Sequence, residues 1–235
     1  MSPGTLYLIP VPLGPAAPDI CLPPDTLAAA RRLEHFVAER AKTARAHLKA
    51  MGHPRPLQEL SIAELNEHTK ADEITALLAP LKAGKDVGLM SEAGCPAVAD
   101  PGAELVRAAH RENIPVVPLI GPSSILLALM GSGLGGQRFC FHGYLPAKEP
   151  ERTQKIRELE KTARRDKATQ LFIETPYRSA VLLQALAATL APDTLISVGA
   201  DLSLPSQVIR TQSAKAWRGK DETVKDRLVV FGIGV

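Results

Sequence analysis

The chain has 235 residues, 45% of them hydrophobic and 23% charged, with a formal net charge of +3, which excludes a disordered or fibrous chain and permits an anionic partner without requiring one. Its cysteines, Cys21, Cys95 and Cys140, are odd in number and widely spaced, which argues against a disulfide framework and fits a reducing cytoplasm. No Cys/His cluster has the spacing of metal ligands, and the first residues carry no basic and apolar leader, so neither a metal site nor secretion is expected.

Thr5 to Ile9 is predicted as a short apolar strand, closed by the rigid turn Pro10-Val-Pro-Leu-Gly14. Pro18 to Thr26 reads as a Pro-rich connection, with Asp25 or Thr26 capping a helix that runs to Leu33. A short strand over His35 to Ala38 leads into a basic amphipathic helix over Glu39 to Met51, stopped by Gly52-His-Pro-Arg-Pro56. Leu60 to Asn66 is a short mixed segment, and Ala71 to Leu81 is helical. Val87 to Met90 is a buried strand that runs straight into Ser91 to Gly102, a loop of small residues. Loops this long are usually functional, and the end of a parallel strand is where open α/β sheets bind ligands. A helix over Gly102 to Glu112, a buried strand over Val116 to Leu119 and a helix over Ile125 to Met130, capped by Ser123 or Ser124, complete the first part. The uncharged stretch Ile114 to Gln137 is not a membrane span, because Pro115, Pro118 and Pro122 interrupt any helix there.

The second part begins with a strand over Arg138 to Tyr144, then a charged helix over Glu151 to Arg165. A strand over Gln170 to Glu174, a helix over Ser179 to Leu190 and a strand over Leu195 to Gly199 follow. Ser206 to Gln212 and Arg227 to Ile233 are late, antiparallel strands. Strands alternating with helices predict α/β architecture, here an N-terminal α/β domain over 1–120 and a C-terminal one over 121–235.

Few side chains advertise chemistry. Gly131-Ser-Gly-Leu-Gly-Gly136 matches a dinucleotide-binding pattern literally, but a helix precedes it and a strand follows, so it reads as a helix end and a turn. Gly121-Pro-Ser-Ser124 places hydroxyls and helix N–H groups at a strand end, where they suit a carboxylate. The histidines have no catalytic spacing, and Cys95 has no basic partner in its segment. Arg40, Lys42, Arg45, His47, Lys49, His53 and Arg55 form a basic run suited to a phosphate backbone. The run from Lys148 to Lys167 is interleaved with glutamates and reads as a solvated helix.

The order of motifs is more telling than any one of them. Pro10-Val-Pro-Leu-Gly14, then Ser91 to Gly102, then Val116 to Ser124, then Phe141-His-Gly-Tyr-Leu-Pro146, then Glu174-Thr-Pro-Tyr-Arg178 resembles the tetrapyrrole methylase superfamily of S-adenosylmethionine-dependent methyltransferases. Within it, the likeness is to the branch of bacterial 16S rRNA cytidine 2′-O-ribose methyltransferases. The resemblance implies two α/β domains with the cofactor cleft between them, a cytoplasmic homodimer, and rRNA or the small ribosomal subunit as partner. It implies cofactor contacts at Pro10, Pro12, Gly14, Ser91, Glu92, Ala93, Gly94, Val98, Asp100, Ser123, Ser124, Phe141, Gly143, Tyr144, Ala200, Asp201 and Leu202. Arg40, Lys42 and Arg45 are the substrate candidates, and Glu39 and Glu92 the candidate bases.

Some positions depart from the family pattern. Its Ala-Glu-Asp-Thr-Arg segment reads Ala38-Glu-Arg-Ala-Lys42, and its Asp-Ala-Gly-Thr-Pro reads Glu92-Ala-Gly-Cys-Pro96. Its Arg-Glu-Leu-Thr-Lys reads Ala200-Asp-Leu-Ser-Leu204, which drops both basic residues. The substrate side is where these changes fall. They leave open a small-molecule acceptor such as a tetrapyrrole, or a cofactor-binding module without transferase activity.

Overall fold

The computed structural model describes residues 2–66 and 68–235. The chain divides into two compact units, Met1–Ser123 and Ser124–Val235. The first is built on a parallel sheet of β1 (Leu6–Ile9), β2 (His35–Ala38), β3 (Ser61–Glu64), β4 (Val87–Met90) and β5 (Val116–Pro118), in the order β3-β2-β4-β1-β5. Its helices are α1 (Pro18–Cys21), α2 (Pro24–Arg32), α3 (Ala41–Ala50), α4 (Ala71–Leu77), α5 (Ala79–Lys82) and α6 (Ala103–Arg111). The central strand β4 is buried along its whole length, which explains its unbroken apolar run. Successive side chains face opposite ways. Phe36 and Met90 pack with Leu27 and Leu48 on one face, and Val37 and Leu89 with Leu81 and Leu105 on the other.

The chain leaves β2 toward β3 on one side and β4 toward β5 on the other. The crevice between β2 and β4 is thus the switch point at which open parallel sheets take ligands. Ala38 pairs with Met90, and Ile9 pairs with Met90 from the other side, so Glu39, Ser91 and Pro10 leave the sheet at one level.

The second unit contains α7 (Ser124–Ser132), β6 (Phe139–Tyr144), α8 (Glu151–Asp166), β7 (Thr169–Glu174), α9 (Pro176–Thr189), β8 (Leu195–Ala200), β9 (Val208–Ser213), α10 (Ala214–Trp217) and β10 (Val229–Gly234). Its sheet runs β6-β7-β10-β8-β9, with only β6 and β7 paired in parallel. Phe172 and Phe231 stack at 5.8 Å within a core completed by Ile156, Leu159, Leu183 and Leu186 of α8 and α9. Ile125 and Leu129 of α7 pack with Leu171 in a separate cluster. Because β10 is antiparallel to both β7 and β8, those two run the same way and end level, at Glu174 and Ala200.

Several sequence expectations are corrected. Neither Asp25 nor Thr26 caps α2, because Pro24 takes the first helical position and Pro23 precedes it. The Thr26 hydroxyl instead donates to the Ile120 carbonyl at 2.8 Å. The basic helix begins at Ala41 rather than Glu39, since Ala38 is still bonded in the sheet and Arg40 is extended. The helix over 71–81 is divided at Leu78, ahead of Pro80, which has no N–H to donate. β5 is an edge strand with Val117 and Pro118 exposed, not a buried one, and an edge is where a strand tolerates proline. Ser124 is already the first helical residue of α7, which begins one residue earlier than expected.

Trp217 is fully buried, and its indole N–H donates to the Ile196 carbonyl at 2.9 Å. Trp217→Ala is expected to destabilise the second unit by about 3–5 kcal/mol, by emptying the site and orphaning that carbonyl. Urea denaturation followed by far-ultraviolet circular dichroism checks this, and a loss under about 1 kcal/mol would contradict it.

Candidate functional site

The strand ends of the first unit are tied to one another by short contacts. Val11 and Gly94 exchange backbone hydrogen bonds at 3.0 and 3.1 Å, joining the loop after β1 to the loop after β4. The Cys95 thiol donates to the Pro122 carbonyl at 3.3 Å, joining the β4 loop to the one after β5. Gly121 lies so close to Pro10 that a Cβ there would stand 2.2 Å from the Pro10 Cβ. Gly94 has φ +72°, and Ala97 and Ala99 adopt φ of 64° and 60°. Left-handed alanine costs roughly 1–2 kcal/mol per residue, and such strain concentrates where a loop serves a ligand.

Carboxylates gather at this edge. Asp100 is half-buried, and its pKa is raised, first by desolvation and then by the charges of Glu39 and Glu92. Ser91 opposes the rise. Its buried hydroxyl makes no hydrogen bond of regular geometry, so it acts on Asp100 as a nearby dipole. The Glu92 carboxylate accepts from the Thr43 hydroxyl at 3.0 Å, and the Glu92 carbonyl accepts from His47 Nε2 at 3.1 Å. A carbonyl only accepts, so Nε2 of His47 carries the proton. These bonds fix α3 against the β4 loop. Burial pushes the Cys95 thiol up, which keeps it protonated and unreactive.

The basic face of α3 stands beside these acids. Arg40, Lys42, Arg45 and Lys49 have no acidic partner among the described residues, and all but the half-buried Arg45 are exposed. On α8 the opposite holds. Arg152 pairs with Glu149 at 2.8 Å, Lys155 with Glu158 at 2.9 Å, Arg164 with Asp193 at 3.4 Å and Arg165 with Asp166 at 2.7 Å. Most basic side chains of α8 thus have acidic partners, and those of α3 remain available to an anion.

In the second unit the loops after β6, β7 and β8 share one edge. Phe141 packs against the α7 cluster, Gly143 has φ +64° with open space around its Cα, and Tyr144 is exposed. Ala200 and Leu202 are buried, so their backbone rather than their side chains is what the edge presents. Asp201 accepts from Arg227 Nε at 2.7 Å and from the Ser206 hydroxyl at 3.0 Å. Asp201 thus has its basic partner in Arg227, too far along the chain for spacing to reveal. Sequence reasoning also missed why Glu174-Thr-Pro-Tyr-Arg178 is a unit. The Glu174 side chain is 3% exposed, and its Oε1 accepts from Arg178 Nε and Nη2 at 3.0 and 2.7 Å and from the Thr175 N–H at 2.7 Å.

A family model for tetrapyrrole (corrin/porphyrin) methylases matches residues 6–216. The chain belongs to this family. As a tetrapyrrole methylase it is a methyltransferase. It is 30% identical over 224 residues to a ribosomal RNA small subunit methyltransferase I of Escherichia coli O157:H7, covering 94% of this chain and 74% of that one. The protein of the same name from Mesorhizobium japonicum is 34% identical, over 90% of this chain and 68% of its own. The Xylella fastidiosa protein is 37% identical, over 79% of this chain and 64% of its own. Among solved structures, the methyltransferase CobJ superposes with a TM-score of 0.63 at 20% identity, covering 100% of this chain and 94% of its own. Uroporphyrin-III-C-methyltransferase from Thermus thermophilus superposes with a TM-score of 0.58 at 19% identity, covering 98% and 92%. These two likenesses show the tetrapyrrole methylase fold. Among the described residues no group of His, Cys, Asp or Glu is placed to hold a metal ion, and no helix is long and apolar enough to cross a membrane.

Proposed function

We propose that this tetrapyrrole methylase transfers a methyl group from S-adenosylmethionine to a ribose 2′-hydroxyl of small-subunit ribosomal RNA. The observation that carries the RNA reading is the unpaired basic face of α3, fixed by Thr43 and His47 against the acid-bearing loop after β4. The names of the relatives point the same way.

The first unit fits the cofactor. Small residues and backbone line its strand ends, and Ser91 places a buried hydroxyl beside Asp100. Pro10, Pro12, Gly14, Ser91, Glu92, Ala93, Gly94, Val98, Asp100 and Ser123 would hold it there. In the second unit, Phe141, Gly143, Tyr144 and the backbone of Ala200, Asp201 and Leu202 share one edge, and Ser124 opens α7. S-adenosylmethionine supplies a methyl group on a sulfonium, which is already a strong electrophile. The protein's task is then alignment, which can supply much of the rate. A ribose hydroxyl also needs a proton acceptor. Of the acids, Asp100 suits this best, because its raised pKa makes it the stronger base, while Glu92 is engaged by Thr43 and Glu39 adds the neighbouring charge. Free cysteines fit a cytoplasmic setting, and Leu126 and Met130, exposed one turn apart on α7, fit a homodimer contact.

Reversing Arg40, Lys42 and Arg45 to Glu is expected to weaken RNA binding and to flatten its salt dependence by up to about three units of slope. Titration of an RNA oligonucleotide at several salt concentrations measures both. An unchanged slope would remove α3 from the RNA interface.

A further inference from the structure

Tyr177 is 88% exposed, the largest exposed fraction among the large hydrophobic side chains described. A phenol ring so placed contributes almost nothing to packing, so the fold does not account for it. Its neighbour Arg178 is held unusually well for a surface arginine. Nε and Nη2 are both engaged by the buried Glu174, which leaves Nη1 without a hydrogen bond among the described residues. A guanidinium pinned on one edge presents a preorganised fork to a phosphate on the other. Both residues sit in the first turn of α9, at the edge where β6, β7 and β8 end. A second ring, Tyr144, 56% exposed, ends the neighbouring strand β6.

We propose that Tyr177 and Arg178 form a nucleotide platform, in which the ring stacks on an unpaired base and the free guanidinium edge holds its phosphate. Single-stranded RNA is recognised in this way, by aromatic faces and arginine planes that accept splayed bases. The inference rests on the RNA reading above and adds to it a contact in the second unit, separate from α3. It commits to an unpaired segment, because a base inside a duplex offers no face to a ring.

Tyr177→Ala, Tyr177→Phe and Tyr177→Trp test it, using fluorescence anisotropy of a labelled single-stranded RNA oligonucleotide and, for the last, indole emission. Tyr177→Ala is expected to lose about tenfold in affinity, the usual cost of one stacked base. Tyr177→Phe keeps the affinity, the added indole emission of the Tyr177→Trp variant is quenched by the RNA, and the melting temperature of each variant is unchanged. The native Trp217 is fully buried, so the quenching reports on position 177. If the Tyr177→Ala variant binds like the parent chain while reversal of the α3 charges weakens binding, the platform is overturned and the RNA reading stands. If the parent chain itself does not bind the RNA, both fall. If Tyr177→Ala changes the sedimentation coefficient of the free protein, the ring belongs to a contact between copies and the platform is overturned.

Discussion

Gly121→Ala is expected to weaken cofactor binding at least tenfold while leaving most of the fold intact. The new Cβ would lie 2.2 Å from Cβ and 2.7 Å from Cγ of Pro10, and a proline ring has no rotamer by which to retreat. The loop after β5 must therefore part from the loop after β1 by more than an ångström. Overpacking of this kind costs about 1–3 kcal/mol, which a domain this size survives. A displacement of about 1 Å at a site that works by alignment costs on the order of 100-fold in rate. Calorimetry with S-adenosylhomocysteine would show at least a tenfold weaker affinity, alongside a modest fall in melting temperature. Gly135→Ala is the control, since a Cβ there meets nothing within 4 Å. Wild-type affinity in the Gly121 variant would remove the junction of these loops from the cofactor site.

Asp100→Asn is expected to stabilise the protein at neutral pH and to lower its activity by about a hundredfold or more. Burial and the neighbouring Glu39 and Glu92 raise the pKa of Asp100, so the folded state holds its proton more tightly than the unfolded state does. The charged carboxylate therefore costs nothing below its ordinary value of 3.8, costs more as pH rises toward the raised value, and costs a constant amount above it. The melting temperature of the Asn variant should exceed that of the parent at pH 7, and the two should converge below pH 3.8. A general base contributes roughly 10²–10⁴-fold, so methyl transfer should fall by that order, with the acidic limb of the kcat/KM profile lost. Stability gained at the expense of activity marks a residue kept for function. Full activity in the Asn variant would return the role of base to Glu39 or Glu92.

The β4 strand and its loop are legible because an unbroken apolar run followed by small residues has few other readings. The parallel sheet was legible from alternation alone. Other features depend on neighbours that no local pattern specifies. Val116-Val-Pro118 reads as buried, yet the strand order leaves it at an edge. Thr26 reads as a cap, yet its hydroxyl serves Ile120, which is distant in sequence and close in space. The charge on Asp201 looks unbalanced until Arg227 folds onto it. Most important for the chemistry, Glu39, Glu92 and Asp100 are ordinary acids in the sequence, and only the level ends of β2 and β4 set them against one another.

The central claim is that these residues serve methyl transfer to ribosomal RNA, and transfer of a labelled methyl group tests it most directly. The protein would be incubated with methyl-labelled S-adenosylmethionine and small ribosomal subunits from cells lacking its gene, beside a small-molecule extract of the same cells. The account predicts label in the 16S rRNA, released by digestion as a 2′-O-methylated nucleoside, and its incorporation slowed about a hundredfold or more in the Asp100→Asn chain. Label confined to the small-molecule extract, or absent from both although the cofactor binds, would contradict it.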